Sequence, residues 1–221
     1  MIAEPGTRWS YSIGLDVLGR VIEVASGMPF DRFLQTRFFE PLKMTSTSFF
    51  VPPRDRARLA TNYTILGDRR VPLDPGGTSV YLSPPSFPYG GAGLVSSARD
   101  YDRFLHMIAG RGTVDGVRVM KPETVALATS NLLPAGVFFD GDQGFGAGGS
   151  VRLTDNPGGP SKGSYGWLGA AGTLGWVDPA RNFRATVMVN YFPGTAYPLA
   201  EDVGRALLQD MQRLHGGNPP R

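Results

Sequence analysis

Hydrophobic positions recur at helical spacing from Ile13 to Ser26, where Leu15, Leu18, Ile22 and Ala25 form a stripe with Val17, Val21 and Val24 beside it. Gly27 follows and supplies the left-handed residue that ends such a helix. A second short helix is expected with Asp31 as its cap, carrying Phe33, Leu34 and Phe38 and stopped by Pro41. "PLKMTSTSF" then reads as a turn into an extended piece. From Val51 to Pro88 periodicity fades among many Pro and Gly, so this stretch reads as a long loop, a type that often binds ligands or forms lids. Order returns at Ser97, which forms a capping-box pattern with Asp100. Tyr101, Phe104, Leu105 and Ile108 make the buried stripe of that helix, and Gly110 closes it. Another short helix is predicted from Pro122 to about Thr129, with proline in its first position.

After Gly144 the pattern changes to strands. "QGFGAGGSVRL", "GSYGWLGAAGTLGWVDP" and "FRATVMVNYFP" are bounded by turn residues, and "DPARN" reads as a hairpin connection. The last run is almost continuously apolar, as a central strand covered on both faces would be. A terminal helix from Leu199 to Leu214 carries Val203, Leu207, Met211 and Leu214 on one side. Helices and loops, then about three antiparallel strands, then a helix packed on the sheet imply an α+β fold. The expected organisation is one domain over 1–221: a helical and loop region over 1–143, then sheet strands and the C-terminal helix over 144–221.

Composition narrows the function classes. The chain has 221 residues, 41% hydrophobic and 19% charged, which is globular rather than disordered. Its net charge is only +3 and its arginines are scattered, so nucleic-acid binding is not expected. Cysteine is absent, which removes disulfides, thiolate metal sites and Cys nucleophiles. No run of about 18 apolar residues exists for a membrane-spanning helix. Neither cofactor nor metal is expected, and the compartment, cytoplasmic or periplasmic, stays open.

Several local patterns have plain explanations. "GFGAGG" matches G-x-G-x-x-G, but "SVRLTDNPGG" follows it where a helix should open, so it reads as a Gly-rich strand against other backbone. His106 sits among Leu105 and Met107 as a helix-packing residue, and His215 lies in the tail; the two have no metal-ligand spacing. The nucleophile elbow G-x-S-x-G is absent.

Three blocks together say more. "PGTRWSYSIGLDVLGRVIEVASGMPFDRFLQTRFFEPLKMTSTSF", "YGGAGLVSSARDYDRFL" and "GSYGWLGAAGTLGWVDP" resemble, in family order, segments of the serine β-lactamase and penicillin-binding-protein superfamily. The resemblance is to its class C-like branch, and within it to the family VIII carboxylesterases. The Tyr-x-Asn motif of that family corresponds to Tyr11-Ser12-Ile13, and the strand motif Trp-x-Gly to Trp167-Leu168-Gly169. The resemblance implies a β-lactamase/transpeptidase-like fold and acyl transfer. Such chemistry needs a hydroxyl nucleophile, a base and donors aimed at the developing oxyanion. In this family a Ser-x-x-Lys motif supplies nucleophile and base, and the Tyr carries a proton. A phenol of unperturbed pKa near ~10 does so when cations stabilise its phenolate. By the same carry-over Tyr11 has that role, and Ala170 lends its backbone N–H to the oxyanion hole. Trp167 and Gly169 line the same strand edge. Ile13 stands where the family has an amide, and Trp167 where lactamases have Lys or His for a substrate carboxylate. An apolar, uncharged rim suits neutral esters better than an anionic β-lactam.

The sequence has three lysines, Lys43, Lys121 and Lys162, and three positions before them stand Glu40, Arg118 and Gly159. It therefore contains no Ser-x-x-Lys. The resemblance implies a C-terminal portion of a serine hydrolase, with Met1 an internal start or truncation point, inactive alone. Its substrate would be a small-molecule ester or amide, and its partner a missing N-terminal segment or another copy. The alternative is a noncatalytic binding or scaffolding protein that reuses the half-fold.

Overall fold

The computed structural model describes residues 3–11, 13–156 and 159–214, with only the helical backbone at Met211, Gln212 and Leu214. Ser12 and His215 of the sequence reading lie outside the described residues, as do the side chains of Met211 and Leu214.

Helix α1 spans Gly14–Ser26 and ends at Gly27, whose φ is +69° and whose N–H donates to Glu23 O. The inward side of α1 differs from the stripe that periodicity predicts. Leu15, Gly19 and Ile22 are covered, whereas Leu18 and Ala25 join Val17, Val21 and Val24 on the exposed side. The cause is close backbone approach. Gly90 is packed so tightly on Leu15 O that a Cβ there has no room, and Gly19 in turn lies against Gly90 and Phe30. The Asp16 carboxylate fastens the crossing by accepting from Gly91 N–H at 3.0 Å.

Helix α2 (Phe30–Leu34) runs into a wide π turn over Gln35–Phe39. Asp31 is not its cap: it lies in the first turn, and Pro29 occupies the cap position without a side-chain bond. Instead Glu23 of α1 accepts the Phe30 N–H at 3.0 Å, and the helix starts two residues earlier than a cap at Asp31 would place it. Its carboxyl is held below the usual range by Arg20 and then by that N–H.

The stretch read as a loop from Val51 to Pro88 contains a hairpin, β1 (Asn62–Leu66) and β2 (Arg69–Asp74), besides short 3-10 turns. Gly67 turns it at φ +64°. Alternation is weak here because Pro72 lies in β2, an edge strand, and Leu66 and Leu73 are exposed. Helix α3 spans Ala98–Ala109, and the Ser97 hydroxyl accepts the Asp100 N–H at 3.2 Å as the capping pattern predicts. The buried Asp100 carboxylate accepts from Ser46 N–H at 2.6 Å and from the Thr47 hydroxyl at 3.0 Å. A small hairpin, β3 (Thr113–Val114) and β4 (Val117–Arg118), precedes α4 (Pro122–Ala128).

Five strands form the main sheet: β5 (Gln143–Phe145), β6 (Ser150–Arg152), β7 (Tyr165–Leu168), β8 (Leu174–Asp178) and β9 (Phe183–Val187). All neighbours are antiparallel and lie in sequence order, so the sheet is larger than the three strands expected. The apolar run 183–193 is not one central strand. It divides into β9, the last strand of the sheet, and β10 (Tyr191–Phe192), which pairs in parallel with β1. Its continuous apolarity serves two sheets in succession rather than two faces of one.

Helix α3 covers one face of the main sheet. Leu42, Met44, Leu105, Met107, Val125 and Val177 form the core there, and the Tyr101 ring occupies the space over Gly175. Helix α5 spans Leu199–Leu214 as predicted and lies over the other face. Between them remains a cavity of about 690 Å³, with Leu174, Trp176 and Phe183 on the sheet side and Leu207 and Leu208 on the helix side. No helix among the described residues is long and apolar enough to cross a membrane.

Candidate active site

Residues 8–11 lead into α1 as irregular chain, and Tyr11 at its end is 60% exposed. Its ring lies nearly parallel to that of Trp167 on β7, with centroids 6.0 Å apart at 22°. Trp9 stands 5.8 Å from Tyr11 and packs on Phe139 at 4.6 Å and Phe145 at 5.3 Å. Phe145 meets Trp167 edge-on at 5.2 Å, and Phe139 meets it at 5.3 Å. Tyr11 and Trp167, which the sequence nominates separately, thus share one aromatic group. Ile13 stands 75% exposed at the cap position of α1, where its carbonyl accepts from Asp16 N–H and Val17 N–H.

Gly169 and Ala170 belong to the turn between β7 and β8. Gly169 N–H donates to Thr173 O at 2.8 Å, and Gly172, at φ +81°, donates to Gly169 O at 3.0 Å. The Thr173 hydroxyl fills the place a side chain would take at Gly169, which explains glycine there. The turn is braced from outside: Gly194 N–H donates to Ala170 O at 2.9 Å and Tyr191 N–H to Ala171 O at 3.2 Å. Ala170 is exposed, and among the described residues its own N–H has no backbone acceptor. A fixed, uncommitted N–H at the end of a strand can donate to a carbonyl oxygen as negative charge develops on it.

The three sequence blocks converge on this place. The second block holds α1 through Gly90 and Gly91, and its helix α3 lies under β8 of the third through Tyr101 and Gly175. Behind the turn, the Tyr165 hydroxyl donates to Ala147 O at 2.7 Å. Burial, and secondarily Tyr101, pushes the Tyr165 phenol up to about 12, so it stays neutral. Asp142 is held below the usual carboxylate range by the Thr154 hydroxyl and by Arg152, 3.1 Å away. The Gly-rich stretch is a tight β5–β6 connection: Gly144 abuts Asn131, Gly146 abuts Ala128 O, and Gly149 abuts the Tyr165 ring. His106 is half-buried in the last turn of α3.

Sequence reasoning missed Trp9, Phe139 and Phe145. Trp9 had a signal, since it lies two residues before Tyr11 and so shares its side if the chain is extended. Phe139 and Phe145 had none, because only the fold of the β5 region brings them to Trp167.

The sequence matches the family model described as Beta-lactamase over residues 2–209. It is 34% identical over 219 residues to protein Rv1367c of Mycobacterium tuberculosis, covering 92% of this chain and 54% of that protein. It is 31% identical to a lovastatin esterase of Penicillium rubens, over 81% of this chain and 49% of that one. To esterase EstB of Burkholderia gladioli it is also 31% identical, over 88% and 53% respectively. The LovD6 mutant of simvastatin synthase (LovD) from Aspergillus terreus superposes with a TM-score of 0.81 at 25% identity. That match covers 96% of this chain and 57% of the other, so the chain spans about half the length of the proteins it matches. The fold is β-lactamase/transpeptidase-like, and the chain belongs to the β-lactamase family.

Proposed function

We propose that this chain carries the Tyr-bearing and oxyanion-bearing part of a serine hydrolase that acts by acyl transfer on carboxylic esters. The observation that carries the reading is the stacking of Tyr11 on Trp167, three residues ahead of the uncommitted N–H of Ala170. In the reaction a serine hydroxyl adds to the ester carbonyl, and Ala170 N–H donates to the oxygen as it becomes negative. Tyr11 passes the serine proton to the departing alcohol; water then adds to the acyl-enzyme, and the acid leaves. A positioned proton carrier of this kind contributes about 10²–10⁴-fold. Gly169 and Gly172 shape the turn that presents the N–H. Trp167 and Ile13 give the site an uncharged rim, which favours neutral esters over anionic β-lactams. The two relatives named as esterases support the same reaction class.

The nucleophile is not among the residues of this sequence, because no Ser precedes a Lys by three positions. Alone, the chain can bind and polarise an ester but cannot form the acyl-enzyme. The test joins the chain to a β-lactamase-family N-terminal half that bears Ser-x-x-Lys. The chimera should hydrolyse p-nitrophenyl butyrate faster than nitrocefin, and Tyr11→Phe should lower kcat by about 10²-fold or more. Full activity in Tyr11→Phe would remove Tyr11 from the reaction. The unjoined chain should resist labelling by a fluorophosphonate probe; stoichiometric labelling of any serine would overturn the account of the missing nucleophile.

A further inference from the structure

The ring group around Tyr11 exceeds what a proton carrier requires. Trp9, Phe139 and Phe145 add three more rings to Tyr11 and Trp167, with neighbouring centroids 4.6–6.0 Å apart and mostly tilted or edge-on. None of the five is buried to the level of the core, and Phe138 beside them is exposed. Such a group presents ring faces and edges at the entrance to the site, and aromatic partners prefer offset and edge-to-face contacts with it. The chain between Trp167 and Ala170 fixes the reach. Three residues span at most about 11 Å even when fully extended, and the turn at Gly169 shortens this. The backbone of Trp167, which carries one ring of the group, therefore lies within about 11 Å of a carbonyl held at Ala170 N–H.

We propose that Trp9, Phe139 and Phe145 form a specificity wall for esters that carry a flat aromatic group within about 11 Å of the ester function. The wall rests on the reading of Ala170 and Tyr11 as reaction groups, but it acts in binding and can be measured without turnover. Trp9 sets the preference from beside Tyr11 and Phe139 from between Trp9 and Trp167, and Phe145 holds Trp167 edge-on. A saturated group of the same size loses the ring-to-ring contacts and keeps only its apolar area.

The experiment titrates the 221-residue chain with phenyl butyrate and with cyclohexyl butyrate, following tryptophan fluorescence and saturation-transfer NMR. The phenyl ester should bind about tenfold more tightly, the size of one or two aromatic contacts. Phe139→Leu and, separately, Trp9→Leu should reduce the ratio to within about twofold while far-UV circular dichroism stays unchanged. Equal affinities in the wild-type chain would overturn the proposal. So would variants that melt at lower temperature yet keep the tenfold ratio, because the rings would then only brace residues 8–11 against the sheet. An inactive chimera beside a preserved binding preference would instead count against the hydrolase reading and leave the wall standing.

Discussion

The two faces of the main sheet are made of alternate residues on the same strands, yet they are covered very differently. On β8, Gly175 and Val177 face α3, whereas Leu174 and Trp176 face α5. On the α3 side Tyr101 lies directly on Gly175, and Val177 is 1% exposed among Leu105 and Met107. On the α5 side a cavity of about 690 Å³ separates helix from sheet. One strand therefore contributes to a close-packed core with one set of residues and to an open wall with the other. Packed interiors respond to the loss of single methylene groups because their surroundings relax only partly, and an already open wall has fewer such contacts to lose.

The sharpest way to break this comparison is a pair of truncations. Met107→Ala on the closed side should cost about 2–5 kcal/mol in urea unfolding, through lost transfer energy and a new void. Phe183→Ala on the open side removes a larger side chain but should cost only about 1 kcal/mol. Equal costs would show that the cavity is closed in solution.

A smaller effect concerns Tyr165, which packs against the closed core. Its folded pKa, about 12, lies above the ordinary value of 10.0 because burial disfavours the phenolate. The unfolded chain therefore releases this proton first. Stability should be unaffected below about pH 10 and should fall as pH rises through about 12, with a limiting slope of about 1.4 kcal/mol per unit. Tyr165→Phe should flatten that part of the profile, which pH-dependent unfolding will read.

The smallest effect belongs to the exposed stripe of α1. Val21→Lys should change stability by less than about 0.5 kcal/mol, since surface substitutions rarely exceed that. It should nevertheless raise soluble yield, because Val17, Val21 and Val24 form an exposed apolar row. A large loss of stability would show that the row is packed against something in solution.

Elements with long periodic patterns were legible in the sequence: α1, α3 and α5 begin and end within a residue of the predicted bounds. The inward side of α1 was not, because Gly19 and Gly90 decide it by backbone contact rather than by hydrophobicity. The β1–β2 hairpin escaped because its exposed Leu66 and Leu73 and its Pro72 break alternation. At the candidate site, Tyr11 and Trp167–Ala170 carried no signal singly and were nominated only through whole resembling blocks. Phe139 and Phe145 stayed invisible because the contact that matters is with a strand more than 20 residues away.

The pairing of β10 with β1 ties distant parts of the chain into one mechanical unit. Tyr63 N–H donates to Asn190 O at 3.1 Å, and the next few residues brace the turn through Tyr191 N–H on Ala171 O and Gly194 N–H on Ala170 O. The hairpin thus acts as a splint on the β7–β8 turn, although it lies far from that turn in sequence. Segments joined in this way should open as one cooperative unit, which a shared amide-exchange rate would report. Loosening the hairpin at Tyr63 should accordingly shorten the lifetime of the β7–β8 turn without any change within the turn.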